Sequence, residues 1–258
     1  MTDRILEWPA YIDVFAQEAR ARGFEGRVLT ECASGPLMAW ERSTNGPRIY
    51  ISAGIHGDEP AGPLAMLDLI QSGFFTTGVN WLLCPVLNPD GVAFGTRHDS
   101  TGQDLNRDYW NRRTPEVHAH AAWLESMPAP DMFISLHEDW ETHGFYLYEI
   151  NLGDDHPQRA PDIIKATHPW FPAQPGPEID GHQARADGWI YHEAEADLPQ
   201  SWPEAIFLAK HGCPLSFTFE TPSQVPLAAR AAAHVAAVRE AVRHFQSDHG
   251  PSCVYSEV

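Results

Sequence analysis

The chain has 258 residues, of which 43% are hydrophobic, and this supply of apolar side chains excludes an intrinsically disordered protein. Its 35 acidic and 17 basic residues give a formal net charge of −18, and so acidic a surface repels nucleic acid and anionic membranes. No run of about 18 apolar residues is present, so we expect neither nucleic acid nor a membrane as a partner.

The N-terminal sequence MTDRILEWPAYIDVF has no apolar run of the kind that a secretory signal needs. The four cysteines form no C-x-x-C pair, so neither a zinc knuckle nor a redox motif is indicated; they are Cys32, Cys84, Cys213 and Cys253. We therefore expect a reduced, cytoplasmic protein. No pattern in the sequence predicts an oligomeric state.

The first half of the chain alternates between helical and strand-like patterns. Residues 11–22 have helical spacing, and a second helix is predicted over 61–71. Apolar runs bounded by turn residues predict strands over 27–30, 37–40, 48–52 and 79–86. The polar stretch from 88 to 111 has no useful period and is predicted to be a long loop.

The second half continues the alternation. Helices are predicted over 115–126, 205–210 and 225–245, and strands over 132–136, 145–148 and 215–219. The stretch 154–200 is rich in Pro, Gly and His and gives no clear pattern. Continuous apolar strands between helices predict an α/β sheet that is covered on both faces, within a single domain over residues 1–258.

Polar residues of useful chemistry lie at or just beyond the ends of four predicted strands: His56, Asn88, His137 and Glu220. In open α/β sheets, ligands bind beyond the carboxyl ends of the strands. The sequence therefore predicts that these side chains converge in one crevice.

His56 and Glu59 form an H-x-x-E pair, and imidazole nitrogen and carboxylate oxygen suit a borderline metal such as zinc. The pair needs a third ligand from elsewhere, and His137, directly after an apolar strand, is available. Two plainer interpretations stay open. His56 is then an exposed histidine near the start of a helix, and His137 is a hydrogen-bonded core histidine.

Six motifs in register resemble the zinc carboxypeptidase family, over residues 48–222: His56-Gly57-Asp58-Glu59, Asn88-Pro89-Asp90-Gly91, Arg97, Asp104-Leu105-Asn106-Arg107, His137 and Glu220. The short spacing between Arg97 and Asn106 is similar to the short bacterial members. The resemblance implies a mixed, largely parallel, twisted sheet with helices on both faces. It also implies one Zn²⁺ per chain, held by His56, Glu59 and His137.

The resemblance assigns roles to further residues. It implies that Glu220 is the general base, that Arg97 stabilises the oxyanion, and that Asn106 and Arg107 bind the terminal carboxylate of the substrate. Asp104 is then expected to orient a neighbouring side chain, His56 being one choice. The family usually supplies a mobile tyrosine, for which Tyr191 is our prediction; a buried aromatic is the alternative.

The acidic segment 138–143 departs from the family pattern. It is interpreted as a solvated turn, as a pocket for a basic side chain, or as a second metal site. The predicted activity is a metallocarboxypeptidase acting on peptides with a free carboxylate. Alternatives are an N-acyl-amino-acid deacylase similar to aspartoacylase and succinylglutamate desuccinylase, a murein γ-glutamyl peptide amidase, and a metal-binding module without turnover.

Overall fold

An eight-stranded mixed sheet runs through the computed structural model, which describes residues 7–248. Its strands are β1 (Glu25–Cys32), β2 (Gly35–Arg42), β3 (Arg48–Ala53), β4 (Asn80–Cys84), β5 (Met132–Asp139), β6 (Tyr146–Asn151), β9 (Trp189–Tyr191) and β10 (Leu215–Pro222). Strands β7 (Glu178–Ile179) and β8 (His182–Gln183) form a separate hairpin. The sheet order is β1-β2-β4-β3-β5-β10-β6-β9. The central strands β4, β3, β5 and β10 are parallel, and β6 runs antiparallel to β10.

Helices cover both faces of this sheet. They are α1 (Ala10–Ala21), α2 (Ala61–Gln71), α3 (Pro89–Phe94), α4 (Pro115–Glu125), α5 (Arg159–Thr167), α6 (Glu204–Lys210) and α7 (Leu227–Asp248), with a 3-10 turn over Leu105–Arg107. Helices α1, α2, α5 and α7 contribute to one apolar core, and α4 and α6 to the other. The predicted fold class, a largely parallel α/β sheet with helices on both faces, is confirmed.

The central strands alternate their side chains between the two cores. In β3, Ile49 and Ile51 enter one core and Tyr50 enters the other. All five residues of β4 are buried. A strand buried on both faces has no solvent face to keep polar, which explains why these strands are continuous apolar runs.

The structure corrects the predicted end of one strand and the structure of one predicted loop. Strand β5 continues through Asp139, so His137 lies inside the strand rather than after it. Helix α3 lies within the predicted loop 88–111, and its capping is local. The Asn88 side chain accepts a hydrogen bond from the Gly91 N–H at 2.8 Å, and Gly95 ends the helix at φ 63°. Six residues are too few for a helical period to be recognised.

The unassigned stretch 154–200 contains α5, the β7–β8 hairpin and β9. Cys84 and Cys213 are buried free thiols, and Cys32 is a partly buried one; Cys253 lies outside the described residues. In the part of the chain that the structure describes, no helix has both the length and the apolar character needed to cross a membrane. That residues 1–258 form one domain stays a prediction.

Candidate metal centre

The loop that carries His56 is held by the neighbouring Asn-Pro-Asp-Gly turn. A Cβ added to Gly57 would lie 1.8 Å from the Gly91 carbonyl carbon, so only glycine permits this contact. The Asn88 amide donates to the Ile55 carbonyl at 3.2 Å, and Gly57 N–H donates to the Thr96 carbonyl at 2.9 Å. The two sequence motifs therefore interlock through backbone, and they fix the position of His56.

His56, Glu59 and His137 are brought together in a buried cluster. Glu59 Oε1 lies 2.6 Å from His56 Nδ1, and Glu59 Oε2 lies 2.9 Å from His137 Nδ1. One ligand atom from each residue lies within 4.8 Å of the other two. A point midway between these three ligand atoms lies no more than about 2.8 Å from each of them. Small movements of the side chains toward that point would give zinc–ligand distances of about 2.0–2.2 Å. Two imidazoles and one carboxylate fit a zinc-type cation.

The protonation of this cluster is set by charge as well as burial. Burial opposes ionisation of Glu59, but the adjacent His56 and His137 hold its pKa well below the usual range. Burial also disfavours a charged His56, yet Glu59 and Asp104 raise the pKa of His56 to about 9. A cation that binds these side chains must therefore displace a proton from His56.

Asp104 connects the cluster to Arg97. Its Oδ1 lies 3.3 Å from His56 Nε2, and its Oδ2 accepts from Arg97 Nε at 3.1 Å and Nη2 at 3.0 Å. A carboxylate on the far nitrogen of a metal-binding histidine fixes the tautomer and the ring orientation. This geometry supports the predicted orienting role of Asp104.

Glu220 lies next to His137 across parallel strands β10 and β5, and next to Tyr146 of β6 on the other side. Its side chain is half-buried and faces the pocket. Burial raises the pKa of Glu220 well above its usual value, and the nearby Glu59 and Asp139 carboxylates add to the effect. A cation bound at Glu59 would act in the opposite direction.

The three predicted substrate-contacting polar residues line the same pocket, which has a volume of about 470 Å³. Arg97 Nη1 lies 3.3 Å from His56 Nδ1 and 3.7 Å from Glu59 Oε1. Asn106 Oδ1 accepts from the Glu204 N–H at 2.9 Å, and Arg107 Nη1 donates to the Asn106 carbonyl at 2.9 Å. The structure thus brings Arg97, Asn106 and Arg107 together with the candidate metal-binding cluster.

Tyr191 is not brought to the pocket. It packs against the core cluster of α1, α2, α5 and α7, and its hydroxyl lies 3.4 Å from the Asn151 carbonyl. The adjacent Ile190 faces the other side of the sheet, because side chains alternate along a strand. Tyr146 and Tyr148 line the pocket instead. The alternation within 145–150 is the signal that could have identified these two tyrosines.

The acidic segment 138–143 is only partly the solvated turn that the sequence suggested. Glu138 is buried at the end of β5, where its Oε1 accepts from the Ala61 N–H at 2.6 Å and its other oxygen pairs with Arg230. Its own N–H donates to Glu59 Oε2 at 3.1 Å. Glu138 therefore supports Glu59, one of the predicted metal ligands, while Glu141 is exposed at the pocket edge.

Buried Glu204, in the lining of the pocket, is expected to make the stability of the fold depend on pH. Burial raises its pKa from 4.5 to about 7, although the Tyr50 and Ser52 hydroxyls donate to it. The folded state therefore binds this proton more tightly than the unfolded chain. The resulting stability is fully present below pH 4.5 and is lost as pH rises to about 7. The free energy of unfolding should therefore fall between pH 4.5 and pH 8. We expect this fall to be about 3 kcal/mol smaller in Glu204→Gln than in the parent protein, as measured by urea unfolding at the two pH values.

The control for this measurement is Glu193→Gln, because Glu193 is exposed. It should leave the pH dependence of the free energy of unfolding unchanged. An equal pH slope in Glu204→Gln and the parent protein would contradict the assignment of that slope to Glu204.

Comparisons with known proteins give matches to a family model and to curated relatives. The model of the succinylglutamate desuccinylase/aspartoacylase catalytic domain matches residues 45–168. Carboxypeptidase 2 of Trichophyton rubrum is 30% identical over 116 residues, which cover 41% of this chain and 21% of that protein. The matched segment thus spans about a fifth of the curated relatives' length.

Solved structures cover most of the chain. A protein of Shewanella denitrificans that is provisionally named a metallopeptidase is 26% identical, with a TM-score of 0.78 over 91% of this chain and 89% of that one. A metallo-carboxypeptidase of Burkholderia cenocepacia is 18% identical, with a TM-score of 0.65 over 93% of this chain and 70% of that one. At this identity, the match shows only that the two proteins have a similar fold. The resemblance that the six motifs predicted is confirmed: over these matched stretches the chain is similar to proteins of the zinc carboxypeptidase type and to the desuccinylase/aspartoacylase catalytic domain.

Proposed function

We propose that this protein is a zinc-dependent carboxypeptidase that hydrolyses the C-terminal peptide bond of peptides. The observation that carries the proposal is the buried His56–Glu59–His137 cluster, with Glu220 directly beside His137 in an open pocket. Arg97 and Arg107 supply positive charge in that same pocket. A metal-binding module without turnover would have no need of a carboxylate in the position of Glu220.

The chain's own residues account for the proton transfers. When bound by His56, Glu59 and His137, zinc would acidify a water molecule and polarise the scissile carbonyl. Glu220 takes a proton from that water as it attacks the carbonyl carbon, and the C–N bond then breaks. Glu220 passes the proton to the leaving amine. Arg97 faces the carbonyl oxygen and stabilises the negative charge that develops there.

Asn106 and Arg107 supply the preference for a chain end. A guanidinium binds a carboxylate through two parallel hydrogen bonds, and the free carboxylate of a C-terminal residue offers that geometry. Both residues follow Asp104 on the 3-10 turn, so the contacts that orient His56 also fix their position. An internal peptide bond would leave the guanidinium without this partner.

The charge of the pocket favours a neutral or basic side chain at the cleaved residue. Its outer wall carries five carboxylates: Asp139, Glu141, Asp180, Glu195 and Asp197. The lining includes only two arginines, Arg97 and Arg107. Like charges gathered in a pocket repel an anionic ligand. This argues against an N-acylated acidic amino acid as the substrate, although the desuccinylase/aspartoacylase model match keeps deacylation as the second candidate.

The test is a set of matched substrates presented to the zinc-loaded protein. We expect N-acylated dipeptides that end in Lys or Leu to be cleaved, and the same peptides with an amidated C terminus to be cleaved at least tenfold more slowly. Arg107→Ala should reduce this difference by weakening the free-carboxylate substrates, and Arg113→Ala, at an exposed surface arginine, should not. The measurement is kcat/KM by mass spectrometry.

Other outcomes would point elsewhere. Equal cleavage of free and amidated peptides would rule out an exopeptidase. Hydrolysis of N-succinylglutamate or N-acetylaspartate alone would establish the deacylase. Hydrolysis of γ-glutamyl peptides alone would move the substrate to the murein-type class.

A further inference from the structure

We propose that His182, His192 and Asp197 form a second divalent-cation site, in the wall of the same pocket and separate from the His56 cluster. His182 lies on β8, His192 directly follows β9, and Asp197 lies in the loop beyond. All three line the pocket. The proposal does not depend on the reaction assigned above, because it concerns binding by other residues.

The separations of the ligand atoms favour a bridging ion over direct hydrogen bonds. His182 Nε2 lies 3.7 Å from Asp197 Oδ2, and His192 Nε2 lies 4.0 Å from Asp197 Oδ1. Hydrogen bonds to a carboxylate require about 2.7–3.2 Å, so these atoms do not satisfy one another. One ligand atom of each residue lies within 4.8 Å of the other two, which leaves a centre no more than about 2.8 Å from each.

Local structure holds the two imidazoles in place. Asp180 and Gly181, at φ 47° and 73°, make the tight turn that leads into His182. The His192 N–H donates to the Glu149 carbonyl at 2.8 Å, which ties the backbone of His192 to strand β6.

The rings also pack on one another and on Tyr148. The His182 and His192 ring centroids are 4.9 Å apart, and Tyr148 lies 5.4 Å from the first ring and 5.8 Å from the second. Tyr148 is itself anchored, since its hydroxyl donates to Asp180 at 2.5 Å. Both imidazoles therefore present their Nε2 atoms toward Asp197 from a packed base.

A second cluster of similar composition differs, because its side chains already pair with one another and with an arginine; we call it the closed surface cluster. Asp162, Glu240 and His244 also lie within 4.8 Å of one another. There, however, His244 Nε2 lies 3.0 Å from Asp162 Oδ2, and Arg243 pairs with Glu240 at 2.6 Å. An arginine already supplies the positive charge in that cluster. Among the ion pairs of residues 7–248, Asp197 pairs with the two histidines alone.

The donor set defines the class of ion. Two imidazole nitrogens and one carboxylate suit zinc and neighbouring borderline cations, whereas calcium and magnesium prefer an all-oxygen site. The ion would connect the β7–β8 hairpin to the loop after β9, across the outer part of the pocket. It would also neutralise part of the acidic wall.

The test measures zinc per chain after dialysis of the full protein against micromolar zinc. We expect two ions in the parent protein, one in Asp197→Asn and one in His182→Gln. Asp197 is exposed, with 73% of its side chain accessible, so its replacement leaves the fold intact. His244→Gln, in the closed surface cluster, should keep two. A double variant in which His56 and His137 are both replaced by Gln should bind one zinc ion. Adding Asp197→Asn to this double variant should remove that ion.

A parent protein that binds one ion, lost only in the His56 and His137 variant, would overturn the second site and leave the first intact. Two ions in both Asp197→Asn and His182→Gln would also overturn it. Loss of activity plays no part in either outcome, so a failure of the proposed carboxypeptidase reaction is recognised separately.

Discussion

Replacing Glu220 with glutamine is expected to lower kcat by about 10²- to 10⁴-fold, the usual contribution of a general base. Glutamine has nearly the same shape but cannot take the proton from water. Glu220 contributes no ligand atom to the His56–Glu59–His137 cluster, so the bound zinc should be unchanged. The measurement is kcat on a C-terminal peptide substrate, together with zinc per chain on the same preparation.

Glu141→Gln is the matched control. Glu141 also faces the pocket, but it is exposed and lies at the edge. Its replacement removes the same negative charge without removing a proton acceptor, so kcat should change by less than about threefold. If Glu220→Gln kept full zinc and turned over within tenfold of the parent protein, Glu220 would not be the general base.

The sheet and the polar residues at its strand ends could be predicted because each depends on a local pattern. Strands buried on both faces are continuous apolar runs, so β3 and the first part of β5 are recognisable without any partner. His56, His137 and Glu220 then follow from the rule that ligands bind at the carboxyl ends of parallel strands.

Features that depend on contacts distant in sequence could not be predicted. The Gly57–Gly91 contact joins two loops through backbone, and neither loop alone indicates it. Glu138 is buried because Arg230, 92 residues later, reaches it from α7. Tyr191 lies in a stretch whose sequence shows no strand pattern, so the sequence does not indicate the face of the sheet on which its side chain lies. Strand alternation assigns side chains to a face only after the strand has been found.

Arg97→Ala is expected to lower kcat by about 10²- to 10³-fold with a smaller change in KM, because the oxyanion develops during the reaction. Asp104 accepts two hydrogen bonds from Arg97, so zinc per chain must be measured in parallel. Arg112→Ala is the control. Arg112 pairs with Glu125 at a distance of 2.6 Å, and it is not one of the residues that line the pocket. If added guanidinium partly restored kcat in Arg97→Ala, the loss of kcat would be due to the missing positive charge. A rise in KM alone, with kcat retained, would instead make Arg97 a substrate-binding residue.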